Sequence, residues 1–303
     1  MPIKSPYLAG IRFDRASPLG REAFAFMKQN PKLLVFPLAA VTALFGVFGL
    51  VLLGAFSRAS LSWLFNQRDG QWLSSTPYYS LVVPGIILTF YLVLTFIFIF
   101  CNVALCGTML ARQKTGRLSL RDGLSAALRR LPQILAWTIF AATVGHILMF
   151  LRRFLREHLS WFGDFAGFLI QGAWAALIYF VAPVLVVEGV GPITALKSSV
   201  DILKSRWAQA DGAEFSCAMA VWPLHLVGLI LVSTRIAYGY FDMHFLSAGQ
   251  LNALHGFIAV YAFITFTLHS VMSGILQSHL YLYAKTGEVP LGSDATAYAR
   301  AFR

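Results

Sequence analysis

The stretch FVAPVLVVEGVGPITALKSSVDILKSRW, Phe180 to Trp207, decides the fold, because an uncharged apolar run ends inside it at Glu188 and a polar, amphipathic segment begins. Upstream, Phe165 to Val187 carry no charged residue over 23 positions, about what an α-helix needs to cross a hydrocarbon core roughly 30 Å thick. Downstream, Gly189, Gly191 and Pro192 interrupt the helix. It restarts with Ile193, Leu196, Val200, Leu203 and Trp207 spaced i, i+3, i+7, i+10 and i+14, in one stripe opposite Lys197, Asp201, Lys204 and Arg206. A helix of that pattern lies on a membrane surface rather than through it.

The rest of the chain has the same character. Hydrophobic residues make up 58% and charged residues 12% of it, against about 45–50% and 25% in soluble domains. Leu33 to Phe56 and Leu81 to Leu110 contain no Lys, Arg, Asp or Glu. Hydropathy predicts six spans, near 33–56, 84–110, 132–151, 165–187, 215–234 and 255–282. Trp222 and Pro223 interrupt the fifth, and Arg235 closes it.

Charge predicts the orientation. The first 32 residues are polar and do not read as a secretory signal peptide, so the amino terminus is expected in the cytoplasm. Placing residues 1–32, 111–131, 188–214 and 284–303 on the cytoplasmic side gives that side 18 of the 24 Lys and Arg residues, as the positive-inside rule requires. Arg152, Arg153 and Arg156 are the one cluster that falls on the other side. The domain plan is therefore a cytoplasmic segment 1–32, a transmembrane domain 33–283 and a cytoplasmic tail 284–303. Because the bases sit at membrane edges, the net charge of +11 is expected to face anionic headgroups, each base contributing about 1 kcal/mol, and not nucleic acid.

Three cytoplasmic segments share one arrangement. Ser17-Pro18 reads as an N-cap and first-turn proline opening a short helix with Leu19, Ala23, Phe24 and Met27 on one side, closed by Asn30-Pro31. Ser119, with Asp122 three residues on, opens a second that bears Leu120, Leu124, Leu128 and Leu131 and is ended by Pro132. The helix from Ile193 is the third, and each leads into a span. The fold expected is an all-α polytopic membrane bundle of six transmembrane helices with three cytoplasmic interfacial amphipathic helices; interfacial helix, span, outer loop, span is the unit, and an internal repeat is one origin for it. Trp63, Trp72, Tyr78 and Tyr79, between the first two spans, suit an aromatic belt at the headgroup level.

Polar groups inside a bilayer need a partner or a purpose. Asn102 lies deep in the second span, seven residues after Thr95 and four before Cys106, so the three are expected on one helix face. Either an interhelical hydrogen bond or a substrate contact satisfies it. In the last span Thr265, His269, Ser273 and Gln277 recur at intervals of four, with Ser270 and Ser278 beside them, a slanting stripe that must meet protein, headgroups or a water-filled cavity. His146, His225 and His269 have no acidic residue at mid-depth to pair with and read as neutral, hydrogen-bonded histidines. Pro183, Glu188 and Lys197 form the candidate interfacial hinge and anchor, Glu188 pairing with a base of an adjoining helix. Gly163, Gly167, Gly172 and Ala176 give the fourth span small-xxx-small spacing, which predicts a central place in the bundle. Cys101, Cys106 and Cys217 read as small apolar residues.

Neither HExxH, GxSxG, Walker A nor GxGxxG is present, and no pair of acidic residues is spaced for metal-dependent phosphoryl chemistry. No catalytic activity, cofactor or metal is expected. The residues Phe100-Cys101-Asn102 with Leu105, the run Trp137 to Gly145, the stretch Pro183 to Glu188 and Ala195-Leu196-Lys197-Ser198 resemble an uncharacterised bacterial family of six-span integral membrane proteins, known only as a domain of unknown function. The Pro183–Glu188 stretch and the Ala-Leu-Lys-Ser helix are also similar to the membrane domain attached to some glycerophosphodiester phosphodiesterases, whose catalytic domain is not found here. Where the family carries Trp-Gly after the amphipathic helix, this chain has Trp207-Ala208. The resemblance implies a multi-pass protein of the bacterial cytoplasmic (inner) membrane. The leading expectation is a structural or accessory protein that binds lipids or partner membrane proteins; the alternative is a transporter or lipid-handling protein with a polar path between the second and sixth spans.

Overall fold

A computed structural model describes residues 13–56, 77–204, 227–228, 248–291 and 293. Among the described residues all regular structure is helical: α1 (Phe13–Gln29), a 3-10 turn (Pro31–Leu34), α2 (Val35–Phe56), α3 (Pro77–Thr115), α4 (Leu120–Arg129), α5 (Leu131–Leu177), α6 (Val181–Val187), α7 (Pro192–Ile202) and α8 (Ala248–Thr286). Among the described residues four stretches are long and apolar enough to cross a membrane: Leu88–Thr115, Leu131–Leu159, Gly163–Val187 and Gly256–Thr286. They match the second, third, fourth and sixth expected spans, and they are what a multi-pass membrane protein requires. The backbone of the first expected span is helical as α2, whereas the fifth, at 215–234, lies outside the described residues except for 227–228, and Trp63, Trp72 and His225 lie outside them too.

The central helix is α3, which packs against α2, α4, α5, α6 and α8. The core runs from Leu19, Met27 and Leu33 through Val103, Leu105 and Cys106 to Ile134, Phe180, Leu185, Met272, Ile275 and Leu280. Two differences from expectation concern where helices begin. Pro18 lies inside α1 rather than at its first turn, because the helix starts at Phe13. Tyr78 and Tyr79 belong to α3 rather than to a loop.

The third and fourth spans form a hairpin with almost no loop. The backbone is helical on both sides of a bend between Leu131 and Leu177, where Arg152 and Arg156 both reach Asp164, at 4.0 and 3.9 Å. A Cβ on Gly163 would overlap the Leu155 carbonyl. Residues eight apart on a straight helix are about 12 Å from one another, so the chain reverses between Arg156 and Gly163. The reversal gives Arg152 and Arg156 the Asp164 carboxylate, while Arg153 pairs with Glu157 one turn along its own helix at 2.9 Å. Gly163 and Gly167 press on this partner arm, while Gly172 has open space beside it and Phe165, Phe168 and Leu169 are exposed. Only the far end of the fourth span, Tyr179 to Leu185, is central.

That span is also broken. α5 ends at Leu177 and α6 begins at Val181; in a continuous helix Pro183 would drive its ring into the carbonyl of Tyr179, four residues back, and could not hydrogen-bond to it. A break in an apolar segment leaves backbone groups unpaired. Here one side chain serves both edges: the Ser199 hydroxyl, fully buried, donates to the Leu177 carbonyl at 2.7 Å and accepts from the Phe180 amide at 3.1 Å.

The short polar helices α4 and α7 dock mainly through small residues and turn large apolar side chains outward, whereas α1 docks through its apolar stripe. In α4, capped by Ser119 accepting from the Asp122 amide at 3.4 Å, Gly123 and Ala127 are buried against α3 while Leu124 and Leu128 are 42% and 55% exposed. In α7, Ala195, Ser199 and Ile202 are buried and Ile193 is 61% exposed. In α1, Leu19, Ala23, Phe26 and Met27 are buried and Phe24 is exposed. In α4 and α7 small residues permit close backbone approach, which leaves Leu124, Leu128 and Ile193 pointing outward.

Candidate functional site

The break between α5 and α6 opens a cavity of about 270 Å³. Its polar strip comes from Asn102 on α3 and from His269, Ser270, Ser273 and Gln277 on α8; its other walls are Phe98, Trp137, Tyr179, Ala182, Leu185 and Phe266 with smaller neighbours. Among the described residues no Asp, Glu, Lys or Arg lines it. Asn102 Nδ2 donates to Gln277 Oε1 at 3.4 Å, and the Cys106 thiol lies 3.9 Å from both Gln277 Oε1 and the Gly274 carbonyl. The absence of a Cβ at Gly274 lets α8 approach Leu105 and Asn102 this closely. Gln277 is about 14 Å from the Thr286 end of α8 at about 1.5 Å per residue.

Of the polar residues singled out in the sequence, Asn102, His269, Ser273 and Gln277 meet in this cavity, and Thr95 and Thr265 do not line it. Thr95 donates to its own helix at the Tyr91 carbonyl, 2.7 Å away, and Thr265 to Tyr261 and Ala262. Seven residues before Asn102, Thr95 shares its face but sits about two turns away along α3. His146 is far from His269: its Nδ1 is 2.8 Å from the Ala142 carbonyl and its ring meets the edge of Tyr91.

Beyond the cavity toward the α7 end lies a second polar layer. Glu188 forms an ion pair with Lys285 at 2.9 Å and accepts hydrogen bonds from Ser198 at 3.0 Å and Tyr281 at 3.2 Å, so one carboxylate joins α6, α7 and α8. Burial pushes this carboxyl upward, but hydrogen bonds from Lys285 and Ser198, the lysine charge and the Tyr281 hydroxyl outweigh burial and hold it below its ordinary value of 4.5. Arg130, at the start of α5, donates to the carbonyls of Val186 and Val187 at 3.3 and 3.4 Å, capping the end of α6. Gly189 follows at φ +62°, with the Arg130 guanidinium where a Cβ would stand. Pro183 is buried in α6, and Lys197 is exposed on α7.

Tyr281 and Lys285 had a signal in the sequence. They continue the four-residue interval of His269, Ser273 and Gln277, so the polar stripe of α8 runs past the cavity to Glu188. Trp137 and Tyr179 carried none, since in an apolar run an aromatic lining a cavity looks like one facing lipid. Ser199 sits among other polar residues of α7, and only the break at Leu177 distinguishes it.

A family model described as a family of unknown function (DUF6159) matches residues 81–291, more than two thirds of the chain, including every cavity-lining residue and the Glu188 cluster. No curated protein and no solved structure matches the chain.

Proposed function

The chain belongs to the family of unknown function DUF6159, and from that premise we propose that it is a multi-pass protein that binds a small bilayer-soluble molecule in the α3–α5–α8 cavity, as a transporter or lipid-handling protein. One observation carries the reading: a cavity of about 270 Å³ with a polar strip of Asn102, Ser273 and Gln277, built at a helix break in an apolar span. Small-molecule sites run roughly 300–1,000 Å³, so this one suits a headgroup or a segment of one chain. Irregular backbone at membrane depth is tolerated where protein buries it or a cavity adjoins it.

In the full arrangement proposed, six spans place both termini and the α1, α4 and α7 surfaces in the cytoplasm of a bacterial inner membrane. Leu124, Leu128 and Ile193 enter the headgroup region, and the neighbouring bases meet anionic lipids. A structural or accessory role binding lipids or partner membrane proteins draws support from those outward apolar side chains, but it needs no cavity. The two readings separate by native mass spectrometry after gentle extraction. Cavity binding predicts a copurifying small molecule that is lost in folded Asn102→Leu and Gln277→Leu variants. Recovery of partner proteins with an empty, mutation-insensitive cavity would favour the accessory role instead.

A further inference from the structure

We infer that the cavity takes an uncharged amphiphile that enters sideways from the bilayer, its carbonyl or hydroxyl oxygens toward Asn102 and Gln277 and its apolar body toward Phe98 and Phe266. The inference rests on the cavity reading above and narrows it to a ligand class.

Three features lead to it. The first is the rim. Phe98 and Phe266, 42% and 43% exposed, and the exposed Ala175 belong both to the cavity wall and, among the described residues, to the outer surface of long apolar helices. The two rings lie 5.8 Å apart, centroid to centroid. An opening there faces the region where acyl chains would be.

The second is polarity along the cavity. α3 and α8 run in the same direction, since Asn102 meets Gln277 and Arg112 bonds the Leu291 carbonyl. Phe98 and Phe266 therefore mark the mid-span end, and Asn102 and Gln277 the end nearer α7. A molecule lying along it has its polar part toward one leaflet's headgroups, as an amphiphile of that leaflet already does.

The third is charge. A charged group buried without a partner is costly, and among the described residues the lining offers amides, hydroxyls and an imidazole but no carboxylate, ammonium or guanidinium. The ions nearest the α7 end, Glu188 and Lys285, are paired with each other. Asn102 and Gln277 share a single long hydrogen bond, and each amide has further donors and acceptors for a ligand oxygen.

The test uses the full chain in nanodiscs at neutral pH and a monoacylglycerol carrying a photoreactive diazirine in its oleoyl chain. Labelling is expected at residues 98–102, 175–182 and 266–277. Unlabelled monooleoylglycerol should compete at least tenfold better than oleoyl lysophosphatidylglycerol, which has the same chain and an anionic head. Ala175→Trp, an exposed position that can be filled without disturbing the core, should reduce labelling at least tenfold; Asn102→Leu should do so if it folds. Equal competition by the anionic lipid would overturn the ligand class and leave the cavity reading standing. Uncompeted labelling spread over outward residues such as Phe150 and Phe168 would overturn both, and labelling unchanged in Ala175→Trp would overturn the sideways entry.

Discussion

The Ser199 hydroxyl donates to the Leu177 carbonyl across 22 residues of chain and holds α7 against the open end of α5. Its second bond, from the Phe180 amide, makes it the shared partner of both edges of the break. Ser199→Ala removes both contacts and takes the buried Leu177 carbonyl's donor away, which costs about 1–3 kcal/mol. Thermal unfolding in nanodiscs should show a clear drop, with Ser199→Val no better despite its bulk. Wild-type stability in Ser199→Ala would mean that the backbone at the break is satisfied some other way.

Glu188 predicts a dependence on pH. Its carboxyl is held below 4.5 in the folded protein, so the stability it contributes is fully present above 4.5 and is lost as pH falls through the lower folded value. Unfolding followed from pH 7 downward should stay level until about 4.5 and then decline in the wild type. Glu188→Gln should be less stable at pH 7 and should lose less over the acid window. Lys285→Met should behave like it, because that amine is the principal group favouring the charged carboxylate. Parallel acid profiles in wild type and Glu188→Gln would assign the acid sensitivity to other groups.

How far these features could be read from the sequence follows from what a bilayer demands. Uninterrupted apolarity is required to cross it, so the four described spans show directly, and Glu188 marks an end to within one residue, although the third span runs on to Leu159 past the expected 151. The break at Ile178–Phe180 was hidden, because hydropathy records side chains and not backbone direction; Pro183 was the only cue. The burial of α4 and α7 was legible only in part. A leucine stripe faces the core in a soluble helix, whereas Leu128 and Ile193 point outward here and Gly123 and Ala195 point in. Asn102 and Gln277 were recognisable separately as polar groups in apolar runs, but only packing through Gly274 brings them together.

That dependence on small residues predicts a sharp contrast among glycines. A Cβ at Gly123 would overlap the Thr108 hydroxyl and the Ala104 carbonyl, and Gly107 faces the same contact from α3. Because the obstacles are backbone and a fully buried side chain, nothing can yield without moving α4 as a whole. Gly123→Ala should therefore lower folded yield and unfolding temperature severely, with a loss of several kcal/mol in the range expected of overpacking, about 1–3 kcal/mol or more. Gly172→Ala, at a helical site with nothing within 4 Å, should be neutral or gain up to about 1 kcal/mol from the better helix propensity of alanine. Size-exclusion profiles and melting curves of the two variants decide it, and equal behaviour would show that α4 is not held to α3 by this close approach.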